Sequence, residues 1–266
     1  MESMIGVINY NISNFSNEEL FKWCRDNSVG YVELQRKDVW EDIGKPENRI
    51  RETGLLLQKY GIKVSQISSG SDFLQKTGDD LNRQVWMVGE MCKMVKDLGF
   101  NQLRIDGGWP KEGVKEEDYR DLIMKGVSKV TENAEKENVY LALDNHGTVT
   151  NNHVLLLDIL KTINSKHLGT NLDTMNYRWY GYAVDELRDI YRQVAPYTLH
   201  THLKDGTGSM GTYKGKVLGE GEVPVVDAVN ILKDAGYRGV WCVEYEGKDG
   251  AEGYKKSVAY LRKLKL

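Results

Sequence analysis

The sequence predicts an α/β protein, a single (β/α)8 TIM barrel spanning residues 1–266. Three observations predict it. Short apolar runs alternate with longer amphipathic ones eight times, and strict strand–helix alternation implies a parallel sheet. No change of composition, Pro/Ser-rich linker or low-complexity tract divides the chain. The length of 266 residues also suits one barrel, a fold that typically takes about 250 residues.

The strand-like runs lie near Met4–Asn9, Tyr31–Gln35, Lys63–Ser68, Gln102–Asp106, Tyr140–Asn145, Leu168–Asp173, Thr198–Lys204 and Val240–Tyr245. The segments between them have helical period. In the third, Val85, Val88, Cys92 and Val95 share a face; in the fourth, Tyr119, Leu122, Ile123, Val127, Val130 and Ala134 do. Helix ends are marked as well. Ser16 and Glu19 have capping-box spacing. Pro46 suits the first turn of the second helix and Gly61 its end. Gly99 and Gly236 stand where a left-handed C-cap is expected. An open doubly wound sheet is the alternative arrangement of these elements. It loses support because the first strand runs into NYNISNFS, which has no glycine-rich phosphate turn.

Composition narrows the function classes. A net charge of −3 with 28% charged residues offers no electrostatic drive toward nucleic acid or an anionic membrane. Cys24, Cys92 and Cys242 are odd in number and far apart, so neither a disulfide framework nor a thiolate metal site is expected. The opening MESMIGVINYNISN reads as a first strand and not as a signal peptide. No apolar stretch approaches the roughly 20 residues that span a bilayer. The expectation is a cytoplasmic protein with no membrane or nucleic-acid partner; homo-oligomerisation stays open.

Barrel chemistry sits at the C-terminal strand ends, because those ends and the loops after them form one mouth. The fifth strand ends LALDNHG, with Asp144 and His146; the sixth GTNLDTMN, with Asp173. The seventh ends LHTHLKD, with His200, His202, Lys204 and Asp205; the eighth WCVEYEG, with Glu244 and Glu246. Successive strand side chains alternate faces, so Ala142, Asp144 and His146 can point together into the barrel, as can His200, His202 and Lys204, or Cys242, Glu244 and Glu246. Two Asp, one Glu and one His from four consecutive strands make an oxygen-rich set with one imidazole. That suits Mn2+, or Mg2+ or Co2+, better than a thiolate-rich zinc site. The alternative is a group of unrelated polar residues held by hydrogen bonds. Three of the five histidines fall here, which argues against chance; His153 and His167 read as ordinary surface histidines.

At HTHLKD (His200–Asp205), LGEGEV (Leu218–Val223), GYRGVWCVEYE (Gly236–Glu246), LDT (Leu172–Thr174) and LALDNHG (Leu141–Gly147) the chain resembles the xylose isomerase-like barrel superfamily. That superfamily includes sugar isomerases and epimerases, hydroxypyruvate isomerase, inosose dehydratase and, more distantly, metal-dependent AP endonucleases. The resemblance covers essentially the whole chain. It implies that Asp144, Asp173, His202 and Glu244 hold one divalent ion, which binds two adjacent sugar oxygens. His200 then lies deeper, behind the ligands or against the substrate. The carboxylates of strands five and eight flank the sugar and move the proton, so Glu244 is both ligand and catalytic group. Asp144 stands where the family usually has Glu. The lost methylene withdraws the carboxylate by about 1.5 Å, which shortens its reach as a base. His146, of the same parity, is the candidate to replace it.

His200, Lys204 and Trp109 are the candidate substrate contacts. Trp109 follows GG in the loop after strand four, and an aromatic face there can stack on a sugar. Trp40, Trp179, Tyr180 and Tyr182 also lie in loops, where packing is the alternative role. The glycine-rich stretch Gly206–Gly221, with Lys214 and Lys216, lacks Walker spacing and reads as a solvated turn. The expected activity is a divalent-metal-dependent sugar isomerase or epimerase working through an enediolate. The alternative is a lyase or dehydratase acting on a keto-sugar, keto-glycoside or inosose. An AP endonuclease would need a histidine-rich multi-metal site and a basic face, against which five histidines and the −3 charge argue. The ligand set also argues against a non-catalytic sugar-binding barrel.

Overall fold

The computed structural model describes residues 4–40, 47–264 and 266. Eight parallel strands close into a barrel: β1 (Ile5–Ile8), β2 (Tyr31–Gln35), β3 (Lys63–Ser68), β4 (Gln102–Ile105), β5 (Tyr140–Asp144), β6 (Leu168–Asp173), β7 (Thr198–Leu203) and β10 (Trp241–Val243). Each strand neighbours the next, and β10 pairs with β1 to close the ring. Between β7 and β10 a short antiparallel hairpin forms from β8 (Asp205–Thr207) and β9 (Lys214–Lys216). The Gly206–Gly221 stretch is therefore partly a hairpin, where the sequence suggested only a turn. The predicted strands agree with the observed ones to within two residues at each end. They overrun at the mouth, where Asp106, Asn145 and Glu244 have left the ladder.

The longer helices are α1 (Asn17–Asp26), α3 (Glu47–Tyr60), α4 (Gly78–Met94), α5 (Tyr119–Glu137), α6 (His153–Ile163), α8 (Leu187–Val194), α9 (Val225–Asp234) and α10 (Ala251–Lys263). Two single-turn helices, α2 (Arg36–Val39) and α7 (Asn176–Tyr180), sit directly on strand ends. Helix entry follows the capping chemistry. Ser16 Oγ accepts from Glu19 N, and the Glu19 carboxylate accepts from Ser16 N, closing the box at α1. Gly61, Gly99 and Gly236 take φ of 67°, 78° and 89°, the left-handed exit that an L side chain resists. Pro46 lies outside the described residues. The helices bury their apolar faces against the barrel: Leu20, Phe21 and Cys24 on α1, and Ile123, Val127, Val130 and Ala134 on α5. Cys24, Cys92 and Cys242 are buried free thiols. Among the described residues no helix is long and apolar enough to cross a membrane.

Two register irregularities matter for the site. The β2–β3 ladder shifts between Val32 and Glu33, and the β6–β7 ladder shifts between Thr170 and Asn171. Bulges of this kind re-aim side chains near active sites. Both lie beside residues, Glu33 and Asn171, whose polar groups meet inside the barrel.

Candidate metal centre and active site

Strand pairing sets the site. Asp173 on β6 is in register with His202 on β7, and His202 is in register with Cys242 on β10, two residues before Glu244. Asp173, His202 and Glu244 therefore meet, each offering a ligand-type atom within 4.8 Å of the others. All three side chains are buried.

Each is held from behind. The Oδ1 of Asp173 accepts from Met175 N (2.8 Å) and Asn176 N (2.9 Å) at the start of α7. Asn145 pins the same strand end: its Oδ1 accepts from Asp173 N at 2.8 Å and its Nδ2 donates to Asp173 O at 3.1 Å. Only Oδ2 of Asp173 is left to face the cluster. His202 Nε2 lies 2.6 Å from Glu33 Oε2, a hydrogen bond that puts the proton on Nε2 and leaves Nδ1 facing Glu244 Oε2 (2.9 Å) and Asp173 Oδ2 (4.0 Å). A carboxylate behind a histidine is the usual way to fix a metal-binding tautomer.

These donors fit a divalent cation. Asp173 Oδ2 and His202 Nδ1 are fully buried yet have no hydrogen-bond partner. Nδ1 is close to Glu244 but not directed at it, and Lys204 Nζ is 2.9 Å from Asp173 Oδ2 without hydrogen-bond alignment. Burial and the Glu244 charge push the Asp173 carboxyl up to about 7, against the pull of Lys204. Without an ion, the Glu33 and Glu244 charges outweigh the cost of burial and hold the His202 pKa well above its ordinary value, so a cation binding at Nδ1 would displace a proton. His200 behaves oppositely. Burial drives its pKa down to about 3, and its Nδ1 meets Gln66 Nε2 (2.9 Å) and Asn171 Oδ1 (2.8 Å) deeper in the barrel.

Asp144 does not join these three groups at ligand distance. Its Oδ1 accepts from Asn171 Nδ2 at 2.6 Å, while Oδ2 faces Arg104 Nη1 (3.5 Å) and His146 Nδ1 (3.6 Å). It clusters with Asp106 and His146. The short side chain is held at the β4 side by these partners. Its pKa falls to about 2 despite burial, mainly through the Arg104 charge.

Lys204 is the buried cation of the group. Its ammonium lies 2.9 Å from Asp173 Oδ2, 3.1 Å from Glu244 Oε1 and 3.5 Å from Glu246 Oε2. It competes for the carboxylates that a metal would use. Lys204→Met is expected to tighten Mn2+ binding at least about tenfold, a modest share of the repulsion between charges this close. Calorimetric titration reads it; unchanged or weaker binding would show that Lys204 does not compete.

The cluster borders a cavity of about 450 Å3 lined by Tyr10, His146, Asn176, Trp179, Lys204 and Glu246, among others. Trp109 stands edge-on to His146 at 6.1 Å and is 39% exposed. Trp40 is buried and belongs to the core. Tyr182 donates or accepts at His153 Nδ1 (2.8 Å), and His167 Nδ1 meets Val139 O (2.9 Å). Asp205 turns its carboxylate to the backbone N–H groups of Gly206, Gly219, Gly221 and Val223, tying the LGEGEV segment to the end of β7.

Reading strand ends alone missed Glu33, Arg104 and Asp106. Glu33 carried a signal, since a carboxylate between the apolar, buried Val32 and Leu34 demands partners. It has them: His202, Gln66 Nε2 (2.8 Å) and Arg104 (3.5 Å). Glu33→Gln removes the charge but keeps the shape. We expect it to weaken metal binding about 10–100-fold, the usual cost of losing an outer-sphere partner. Titration with Mn2+, beside a circular-dichroism check of folding, tests this; unaltered affinity would remove Glu33 from the metal centre.

A family model described as Xylose isomerase-like TIM barrel matches residues 21–264. No curated protein sequence matches significantly. Among solved structures, the IolI protein with a bound zinc atom superposes with a TM-score of 0.82 at 17% identity, over 98% of this chain and 97% of the other. The 3-keto-D-glucoside 4-epimerase YcjR from E. coli gives 0.80 at 14% identity, over 98% and 99%. The probable 3-DHS dehydratase AsbF from Bacillus anthracis gives 0.79 at 15% identity, over 97% and 98%. At these identities the likeness is one of fold. The family match runs from the first helix to the last, and the chain belongs to the xylose isomerase-like TIM barrel family.

Proposed function

We propose that the protein is a divalent-metal-dependent sugar isomerase or epimerase, with Mn2+ as its preferred ion and Mg2+ or Co2+ as alternatives. The observation that carries this reading is the meeting of Asp173, His202 and Glu244, with two buried unpartnered donor atoms, beside a polar cavity of about 450 Å3. Oxygen-rich donors with one imidazole favour such ions. Asp173, His202 and Glu244 would hold the ion, with Asp144 as the fourth candidate. Once bound, it supplies Lewis-acid stabilisation of the negative charge that develops on the sugar oxygens.

The chain's own groups move the protons. His146 lines the cavity and Glu244 lies behind its Lys204 wall on a different strand end, so each would serve one face or one carbon of the sugar. Lys204 and Asn176 offer hydrogen-bond donors to its hydroxyls, and Trp109 and Trp179 help to enclose it. Elimination is the second reading. It is favoured by His146 beside Asp144 (3.6 Å), where a histidine acid can protonate a departing hydroxyl. The fold shared with an epimerase and with a probable dehydratase is compatible with both. We place the enzyme in the cytoplasm and expect it to leave abasic DNA uncut.

Incubating Mn2+-loaded protein with a keto-sugar panel in D2O separates the readings. Deuterium beside the carbonyl with all substituents retained supports isomerisation or epimerisation. Loss of a hydroxyl or aglycone supports elimination. No exchange and no product with any member would sink both.

A further inference from the structure

The cavity beside the metal centre is not the larger one. A second cavity, of about 800 Å3, covers the ends of β1, β2 and β3 and shares Tyr10 and Asn11 with the first. Small-molecule sites span roughly 300–1,000 Å3. The smaller cavity suits one sugar ring, which leaves the larger one without an occupant.

Its lining mixes amides and hydroxyls, among them Asn9, Asn14, Gln35, Ser68 and Ser69, with the ring of Phe15. Two cations, Arg36 and Lys37, stand at its rim against one carboxylate, Asp38. Arg36 Nη1 points to Met87 Sδ (3.3 Å), and Lys37 adjoins Asp38. Asp38 Oδ2 accepts from Asn9 Nδ2 at 2.8 Å and so orients that amide. A surface of mixed donors and acceptors matches a polyol, whose hydroxyls use both, better than an acyl chain.

The joint between the cavities is built with care for position. Tyr10 is 51% exposed, yet its backbone is clamped: Tyr10 O accepts from the buried Tyr254 hydroxyl at 2.6 Å. Asn11 Nδ2 donates to Tyr245 O (3.2 Å) and Gly247 O (3.0 Å), in the loop after the neighbouring strand β10. Asn11 and Ser13 hold φ of 50° and 102°, a region that non-glycine residues avoid. Strain of this kind persists where surrounding structure over-determines it, and it concentrates at ligand sites. The result is a fixed backbone that presents the Tyr10 ring to both cavities.

We propose that the β1–β3 cavity is a second sugar subsite, so that the substrate is a glycoside or disaccharide whose non-reacting ring lies against Tyr10 and the surrounding amides. This rests on the carbohydrate reading of the metal centre. Binding energy from that remote ring would steer the reacting ring toward His146 and Glu244.

The test uses Mn2+-loaded protein with 3-keto-glucose as the one-ring probe and 3-keto-maltose and 3-keto-cellobiose as two-ring probes. Calorimetry should give at least one two-ring probe a Kd lower than the one-ring probe by about tenfold or more. Asn14→Trp, which fills the larger cavity from an exposed position, should erase that advantage and leave one-ring binding unchanged. Equal affinity for one and two rings in the wild type would overturn the subsite, as would an advantage that survives Asn14→Trp. Turnover of the one-ring probe with no gain from a second ring would keep the reaction and reject the subsite. Tight two-ring binding without exchange or product would keep the subsite and reject the isomerase reading.

Discussion

His202→Gln is expected to lose its divalent ion and, with it, activity down to background. His202 is the sole imidazole in the ligand cluster, and its Nδ1 is one of the two unpartnered donor atoms there. It also bridges two buried carboxylates, Glu33 at 2.6 Å and Glu244 at 2.9 Å. Breaking a buried charge pair from one side typically costs about 3–5 kcal/mol. The variant should therefore melt on the order of 10 °C lower. Metal content by elemental analysis and the melting curve are independent readouts. His200→Ala is the control. That ring is neutral and bonded to Gln66 and Asn171, so its loss should leave metal content unchanged. Metal retained in His202→Gln but lost in His200→Ala would mean that the two histidines have been assigned in the wrong order.

The second large effect is expected at His146. His146→Ala should keep its metal and its melting temperature while kcat falls at least about 10²-fold, the lower end for general acid–base catalysis. Its side chain is 44% exposed and lines the substrate cavity, so little packing is lost with it. The argument turns on Asp144, whose carboxylate is engaged by Asn171 and Arg104 and does not join the other three ligand groups. Placing Asp144→Glu in the His146→Ala background should not restore kcat. Recovery would show that the fifth-strand carboxylate, once lengthened, is the base, and would point to a two-carboxylate enzyme.

Much of this was legible in the sequence because the barrel repeats one local grammar. Each apolar run ends in polar residues at the mouth, and each helix starts or stops at a recognisable cap, as at Ser16–Glu19 and Gly99. Parity along β7 turned His200 and His202 to the same face, and chain order set His202 nearer the strand's C-terminal end. What stayed hidden depends on register between strands distant in sequence. Glu33 meets His202 across the barrel interior, and no local pattern connects residues so far apart. Arg104, between Glu33 and Asp144, is hidden for the same reason. The β8–β9 hairpin was missed because its strands, DGT and KGK, carry none of the apolar alternation that marks a strand.

The position of Lys204 has a consequence for how the protein meets a changing metal supply. An ion-free carboxylate cluster in a buried site would normally loosen the fold, because its charges repel without a counterion. Here a tethered ammonium already stands among Asp173, Glu244 and Glu246. If the centre takes the ion proposed above, the ion-free chain would keep its fold with this ammonium as the counterion. Recovery on resupply then needs only a side chain to give way, a matter of nanoseconds to microseconds for local motion. No new synthesis or refolding is required.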